Sequence, residues 1–138
     1  MAFVAENMRQ ADREELEALG QDSEEGIWQA FRASEQAWVM QEDAPMCVFG
    51  VIPTNLLTGE GIIWLLGTDN VKRHARGFLE VSPRCLQKIM ATYSHLHNYV
   101  DQRNKASIRW LKWMGFEFQA AQPLGPRGLP FHRFDKRA

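Results

Sequence analysis

The 138-residue sequence predicts one α/β (α+β) domain over residues 1–138, a mixed central sheet of about seven strands carrying four helices. Three observations predict it. Ile62-Ile63-Trp64-Leu65-Leu66 is an unbroken apolar run, the pattern of a strand buried on both faces. A helical stretch within Arg76–Thr92 and a second strand, Leu96–Val100, follow it, and a strand–crossover helix–strand unit makes a parallel, right-handed pair. The third observation is the unit from Tyr93 to Phe118: strand, Asn104 turn, amphipathic helix, Gly115 stop, new strand.

From the start of the chain, Phe3–Met8 reads as a first strand. Asp12 with Glu15 three residues on resembles a capping box, opening a helix that carries Leu16 and Leu19 and stops at Gly20. Ser23 is the expected cap of a second helix with Ile27, Ala30, Phe31 and Ser34 on one stripe. Trp38–Gln41 and Met46–Ile52 read as a hairpin around the turn Glu42-Asp43-Ala44-Pro45. The loop Pro53–Gly61 leads to the apolar fourth strand, and Gly67-Thr68-Asp69-Asn70 ends it. In the third helix Phe78, Leu79, Leu86, Ile89 and Met90 are core candidates, and Pro83 either kinks the helix or restarts it with Ser82 as cap. The fourth helix buries Ile108, Leu111 and Met114 and turns Arg109 and Lys112 to water. Glu117–Gln122 and Phe131–Phe134 alternate as a terminal hairpin joined by a Pro/Gly-rich loop.

Sixteen basic against 17 acidic residues give a net charge of −1, which removes the global electrostatic case for nucleic acid. Charge is local instead: Asp12–Glu25 is acidic, whereas Lys72–Arg76 and Arg103–Lys112 are basic. Cys47 and Cys85 lie in apolar patterns without metal or redox spacing and read as free thiols suited to a reducing compartment. No apolar run approaches the ~18 residues of a membrane helix, and no signal peptide is evident, so a cytoplasmic protein without a membrane partner is expected.

The order β–α–α–β–β–β–α–β–α–β–β, with the spacing from Asn104 to Gly115-Phe116, resembles the GCN5-related N-acetyltransferase (GNAT) family. The resemblance implies that the fourth and fifth strands splay apart to admit the pantetheine arm of acetyl-CoA as co-substrate. It implies a pyrophosphate loop over Val71–Phe78, where Lys72, Ala75 and Gly77 keep the family spacing with Lys for Gln/Arg. The other register puts Arg76 and Phe78 where small residues belong. The cofactor-binding set on this likeness is Leu66, Gly67, Lys72, Arg73, His74, Ala75, Arg76, Gly77 and Asn104; Asn104 either bonds the pantetheine arm or caps the fourth helix. As a loop of its own, Lys72–Arg76 reads equally as a solvated basic helix start. Asp69 is the expected base and Tyr99 the expected proton donor, because the family's general-acid tyrosine position holds Leu111.

A narrower likeness is to phage proteins with a degenerate GNAT fold, related to the internal virion protein A family of short-tailed phages. Gly67-Thr68-Asp69, Leu96–Asp101, Asn104 and Ile108–Phe116 carry it. It implies a phage-encoded protein in the host cytoplasm or the virion. Two functions follow: N-acetyl transfer to an unidentified acceptor, or a non-catalytic role in virion assembly or host-protein interaction, with a homodimer compatible with either. His95 and His97 share a strand face but lack further ligands, so no metal is expected. Trp28, Trp38 and Trp64 are core candidates; Trp110 and Trp113 flank the fourth-helix stripe, with Trp113 the more exposed.

Overall fold

Six helices and seven strands follow one another in a computed structural model that describes all 138 residues. They are α1 (Ala2–Glu6), α2 (Gln10–Ala18), α3 (Ser23–Ala33), β1 (Gln36–Glu42), β2 (Ala44–Asn55), β3 (Glu60–Gly67), α4 (Asn70–Arg73), α5 (Ala75–Met90), β4 (His95–Asp101), α6 (Lys105–Trp113), β5 (Glu117–Phe118), β6 (Gln122–Leu124) and β7 (Leu129–Arg137). The sheet order is β1-β2-β3-β4-β7-β5, with β6 also on β7. No helix is long and apolar enough to cross a membrane.

The predicted fourth and fifth strands are β3 and β4, and they are the parallel pair. Their ladder is short, running from Glu60↔His95 to Ile62↔His97, although β3 continues to Gly67 and β4 to Asp101. Each keeps its other neighbour throughout: β3 pairs with β2 from Asn55↔Glu60 to Cys47↔Gly67, and β4 with β7 along its whole length. The sheet therefore opens into a V.

Phe3–Met8 is not a strand. Its Ala5 and Asn7 N–H groups donate to the carbonyls of Met1 and Phe3, four residues back, burying Val4 and Ala5 in a helical turn, and of the expected pairing only the bridge Met8↔Thr68 remains, beyond the helix end. Arg13 ties this segment down, donating to the carbonyls of Met8, Ala5 and Glu6 and to Ser23 Oγ. The cap of α3 is Asp22, whose Oδ1 accepts from the Glu24 and Glu25 N–H groups; Ser23 is the first helical residue and buried. Helix α5 runs unbroken through Pro83. Helix α6 matches its signals: Asn104 Oδ1 accepts from Ser107 N–H, and Gly115 at φ +95° lets Phe116 N–H return to the Leu111 carbonyl.

Two apolar layers cover the sheet. On one face α5 and α6 place Phe78, Leu86, Ile89 and Leu111 against Phe49, Val51, Leu96, Val100 and Phe134. On the other, α1 and α3 place Val4, Ala5 and Ile27 against Val48, Trp64 and Leu66. Trp64 is core, its Nε1–H satisfied by Ser34 Oγ at 2.7 Å. Trp38 is not: it lies exposed on edge strand β1, stacked on Phe49.

Candidate functional site

The site is built by the sheet coming apart. Along β3 the backbone alternates: Thr68 N–H donates to Met46 on β2, so the polar groups of Ile63, Leu65 and Gly67 turn toward the opening. At the apex the Asn98 side chain spans the first gap, its Nδ2 donating to the Ile63 carbonyl at 2.7 Å and its Oδ1 accepting from Tyr99 N–H at 2.7 Å. At the mouth Gly67 is already taken, since its N–H donates to Asp12 Oδ2 at 2.8 Å and its carbonyl accepts from Arg9 N–H at 2.7 Å. Between apex and mouth, the Leu65 peptide faces the cleft with no strand opposite it.

Helix α2 lies across the mouth and laces the two strands together. Asp12 is buried, with both oxygens engaged by Arg9 as well as by Gly67 N–H. One turn on, Glu15 Oε1 accepts from Asp101 N–H at 3.1 Å and from Asn104 Nδ2 at 3.0 Å. Burial pushes the Glu15 carboxyl up to about 7 against these two bonds, and the neighbouring Asp12 carboxylate pushes the same way. Asp101 moves oppositely: burial alone would raise it, but the side-chain and backbone bonds from Arg103 hold it below the usual carboxylate range. Asp12 and Glu15 are thus not a capping box. The residues that receive them are distant in sequence.

A cavity of about 840 Å³ passes through the opening. Leu16 and Ala30 line it from the α2–α3 side, Phe78 and Trp110 from the α5–α6 side, and Ile63, Leu65 and Asn98 at the gap. The volume lies in the range of small-molecule sites.

The sequence-selected residues are only partly brought together. Asp69, Tyr99, Lys72, Ala75, Leu66 and Asn104 line the cavity. Asp69 sits exposed at its rim, at the start of α4, and Tyr99 is half-buried opposite Arg133 on β7. Leu66 packs its side chain into the α1–α3 layer and its backbone faces β2, and Gly67 has no free peptide group; Leu65, missed by sequence, holds the free one. Asn104 is a helix cap, and its amide nitrogen is given to Glu15. Leu111 is buried among apolar neighbours.

At the start of α5 the N–H groups of Ala75, Arg76 and Gly77 donate to no protein carbonyl, and Lys72, Arg73 and Arg76 are exposed around them. The hairpin turn at Asp43, at φ +62°, brings acid to the same place. Glu42 Oε2 lies 3.7 Å from His74 Nδ1, and Asp43 Oδ2 lies 3.9 Å from His74 Nε2. A Cβ on Gly77 would meet that Glu42 oxygen at 2.8 Å. His95 and His97 lie elsewhere, on the other end of β4: His95 Nε2 bonds Asp135 Oδ2 at 2.7 Å, whereas His97 Nε2 is 3.0 Å from Glu60 Oε1 without forming a hydrogen bond.

The sequence matches no family model, and no curated protein matches it. Solved structures do. Ribosomal-protein-alanine N-acetyltransferase from Brucella melitensis superposes with a TM-score of 0.64 at 14% identity, over 83% of this chain and 78% of that one. An acetyltransferase of the GNAT family from Streptococcus pneumoniae gives 0.61 at 12% identity, over 85% and 76%. The fold is that of the GNAT family. Spermidine N-acetyltransferase SpeG from Vibrio cholerae, as its F149A mutant, gives 0.62 at 13% identity over 83% and 72%. At such identities the GNAT likeness is one of fold, and chemistry has to be argued from the side chains.

Proposed function

We propose that this GNAT-fold chain transfers an acetyl group from acetyl-CoA to an amine. The observation that carries the reading is the unpaired Leu65 peptide facing a cavity through the sheet, where a thioester carbonyl can meet a fixed N–H donor. The residues present fit the co-substrate. The free N–H groups of Ala75, Arg76 and Gly77 and the exposed Lys72, Arg73 and Arg76 suit the pyrophosphate, and the apolar wall of Phe78 and Trp110 suits the pantetheine arm. Acetyl-CoA supplies an activated acyl carbon; the protein's part is to orient it, polarise its carbonyl and exclude water. Tyr99, lining the cavity from β4, is the proton donor to the leaving sulfur in this reading, because Leu111 has no proton to give.

Two features favour the rival reading of a non-catalytic protein acting in phage virion assembly or host-protein interaction. One is Leu111 at the general-acid position. The other is the carboxylate of Glu42 beside the α5 amides, which repels phosphate. Calorimetry separates the two. The acetyl-transfer reading expects saturable acetyl-CoA binding and release of free thiol with spermidine or an alanine-terminated peptide, the acceptors named for the structural neighbours. An absence of heat at millimolar acetyl-CoA ends that reading in favour of its rival.

A further inference from the structure

We infer that β1 is an interface strand, pairing antiparallel with β1 of a second copy of this chain across a two-fold axis at Trp38. This holds whichever of the two functional readings stands.

The two edges of the sheet differ. β5 is two residues long and β6 three, and Pro123 in β6 has no N–H to offer a further strand. β1, at the other end, is seven residues long and pairs on one side only, with β2. Its free groups follow from the ladder. Thr68 N–H donates to Met46, so by alternation Met46, Val48 and Gly50 hold β3, whereas Cys47, Phe49 and Val51 hold β1. Their partners on β1 are Met40, Trp38 and Gln36. The N–H and carbonyl groups of Ala37 and Val39 therefore point outward, and no backbone group outside the sheet takes them.

This segment lacks what usually keeps an edge from pairing. Gln36–Met40 carries no charge and no proline. The first irregularity is the register shift between Met40 and Gln41, and the acidic Glu42 and Asp43 lie beyond it. Trp38 and Val39 are 37% and 43% exposed.

A second copy suits the strand because the strand complements itself. With Trp38 on the two-fold axis, Ala37 and Val39 of the second copy exchange both backbone hydrogen bonds, and the reciprocal pair does the same. Trp38 meets its own copy in the non-hydrogen-bonded position, where side chains approach most closely, and Gln36 stands opposite Met40. Trp38 is already stacked on Phe49, ring centroids 5.3 Å apart, so a second indole extends an aromatic stack on the α5–α6 face. Val39 lies on the opposite face, that of Val48, where Ala37 of the second copy comes beside it. Charge agrees. The antiparallel arrangement sends the two Glu42-Asp43 turns to opposite ends, each toward the end of the other copy's α3, whose last turn carries the exposed Arg32. A two-fold axis at Val39 instead would draw the register shift into the ladder. Gln36–Met40 on each side falls short of the ~800 Å² per partner of a standard interface, so the dimer is a weak one that forms with concentration.

The test is sedimentation equilibrium of the full chain, under reducing conditions, from micromolar to millimolar protein. The mass should rise from one chain toward two. Val39→Pro removes only an outward N–H, so it should keep the unfolding temperature and raise the dimer dissociation constant roughly tenfold or more. Should Val39→Pro not fold, Val39→Lys serves, since a charge at the edge opposes pairing and asks nothing of the backbone. The register is read by oxidative cross-linking in a Cys85→Ala background. Trp38→Cys should link two copies, because a non-hydrogen-bonded pair brings Cα atoms to about 4.5 Å, within disulfide reach, and Gln36→Cys should not. A dimer indifferent to the Val39 substitutions, or one linked through Gln36→Cys and not through Trp38→Cys, overturns the proposal in favour of another face. A chain monomeric at every concentration overturns it as well and leaves the edge to a strand of a different protein.

Discussion

Asn98 and Ile63 replace one rung of the sheet with a side chain. The Asn98 carboxamide accepts from Tyr99 N–H and donates to the Ile63 carbonyl, each at 2.7 Å, so a spacer stands where a direct backbone hydrogen bond would close the strands. The ladder stops one residue earlier, at Ile62↔His97. The opening of the V thus starts with its polar groups satisfied, which is what lets a parallel pair separate inside a core.

Asn98→Ala should leave the Ile63 carbonyl and Tyr99 N–H without partners and cost about 1–3 kcal/mol in urea unfolding. Asn98→Asp should cost at least as much, because it sets a carboxylate oxygen against the Ile63 carbonyl. A loss under about 0.5 kcal/mol would mean that other groups or water hold the apex.

Leu111 is 7% exposed and packs in the α5–α6 layer. Leu111→Ala should destabilise by about 2–5 kcal/mol, the usual range for a buried leucine. A loss of the size typical of surface changes, below about 0.5 kcal/mol, would show that the cavity edge relaxes around the gap.

Stability should fall as pH rises from 4.5 to about 7 through Glu15. Its folded pKa is raised above the unfolded value, so in this window the folded state binds more protons and loses its advantage as they leave. His97, lowered chiefly by burial, acts oppositely below 6.5, because there the unfolded chain takes the proton first. Asp101 and Asp135, both lowered, withdraw their contribution only below 3.8. The difference between wild type and Glu15→Gln isolates the first effect. The variant should gain up to roughly 3 kcal/mol on wild type at pH 8 and nothing at pH 4. Parallel stability curves would refute a raised Glu15.

At the start of α5, Lys72→Ala and Arg73→Ala should each weaken acetyl-CoA binding by about 1.5–3 kcal/mol, the range for bonds to charged groups, and affinity should drop with added salt. Glu42→Gln should work the other way. Removing a carboxylate whose oxygen approaches Gly77 should tighten binding roughly two- to fivefold, the scale of an exposed charge pair. Weaker binding in Glu42→Gln, read by calorimetry, would show that the carboxylate organises the loop rather than opposing the phosphate.

Much of the scaffold was legible. The run Ile62–Leu66, the crossover helix, Asn104 as cap and Gly115 as stop are local signals, and each appears where periodicity and end chemistry place it. The site was legible in outline only. Leu66, Lys72, Ala75, Asp69, Tyr99 and Asn104 line one cavity, but the unpaired peptide along β3 is that of Leu65, which the sequence did not single out, and Asn104 is committed to α6 and Glu15. Which backbone groups stay free depends on the register with β2 and on what lies over the strand ends, and neither is written in the strand itself.

The short N-terminal segment and its helix show the boundary most clearly. Asp12 and Glu15, three apart and ahead of an apolar stripe, satisfy the local rule for a capping box. In the folded chain Asp12 meets Gly67, 55 residues on, and Glu15 meets Asp101 and Asn104, 86 and 89 residues on. The sequence by itself determined that a parallel pair would form, which elements flank it and where α6 begins and ends, because hydrophobic period and capping chemistry act between near neighbours. Only the tertiary structure decided that the pair would be held open by Asn98 and crossed by α2, since a carboxylate takes whichever donors the packing of distant elements leaves unpaired beside it.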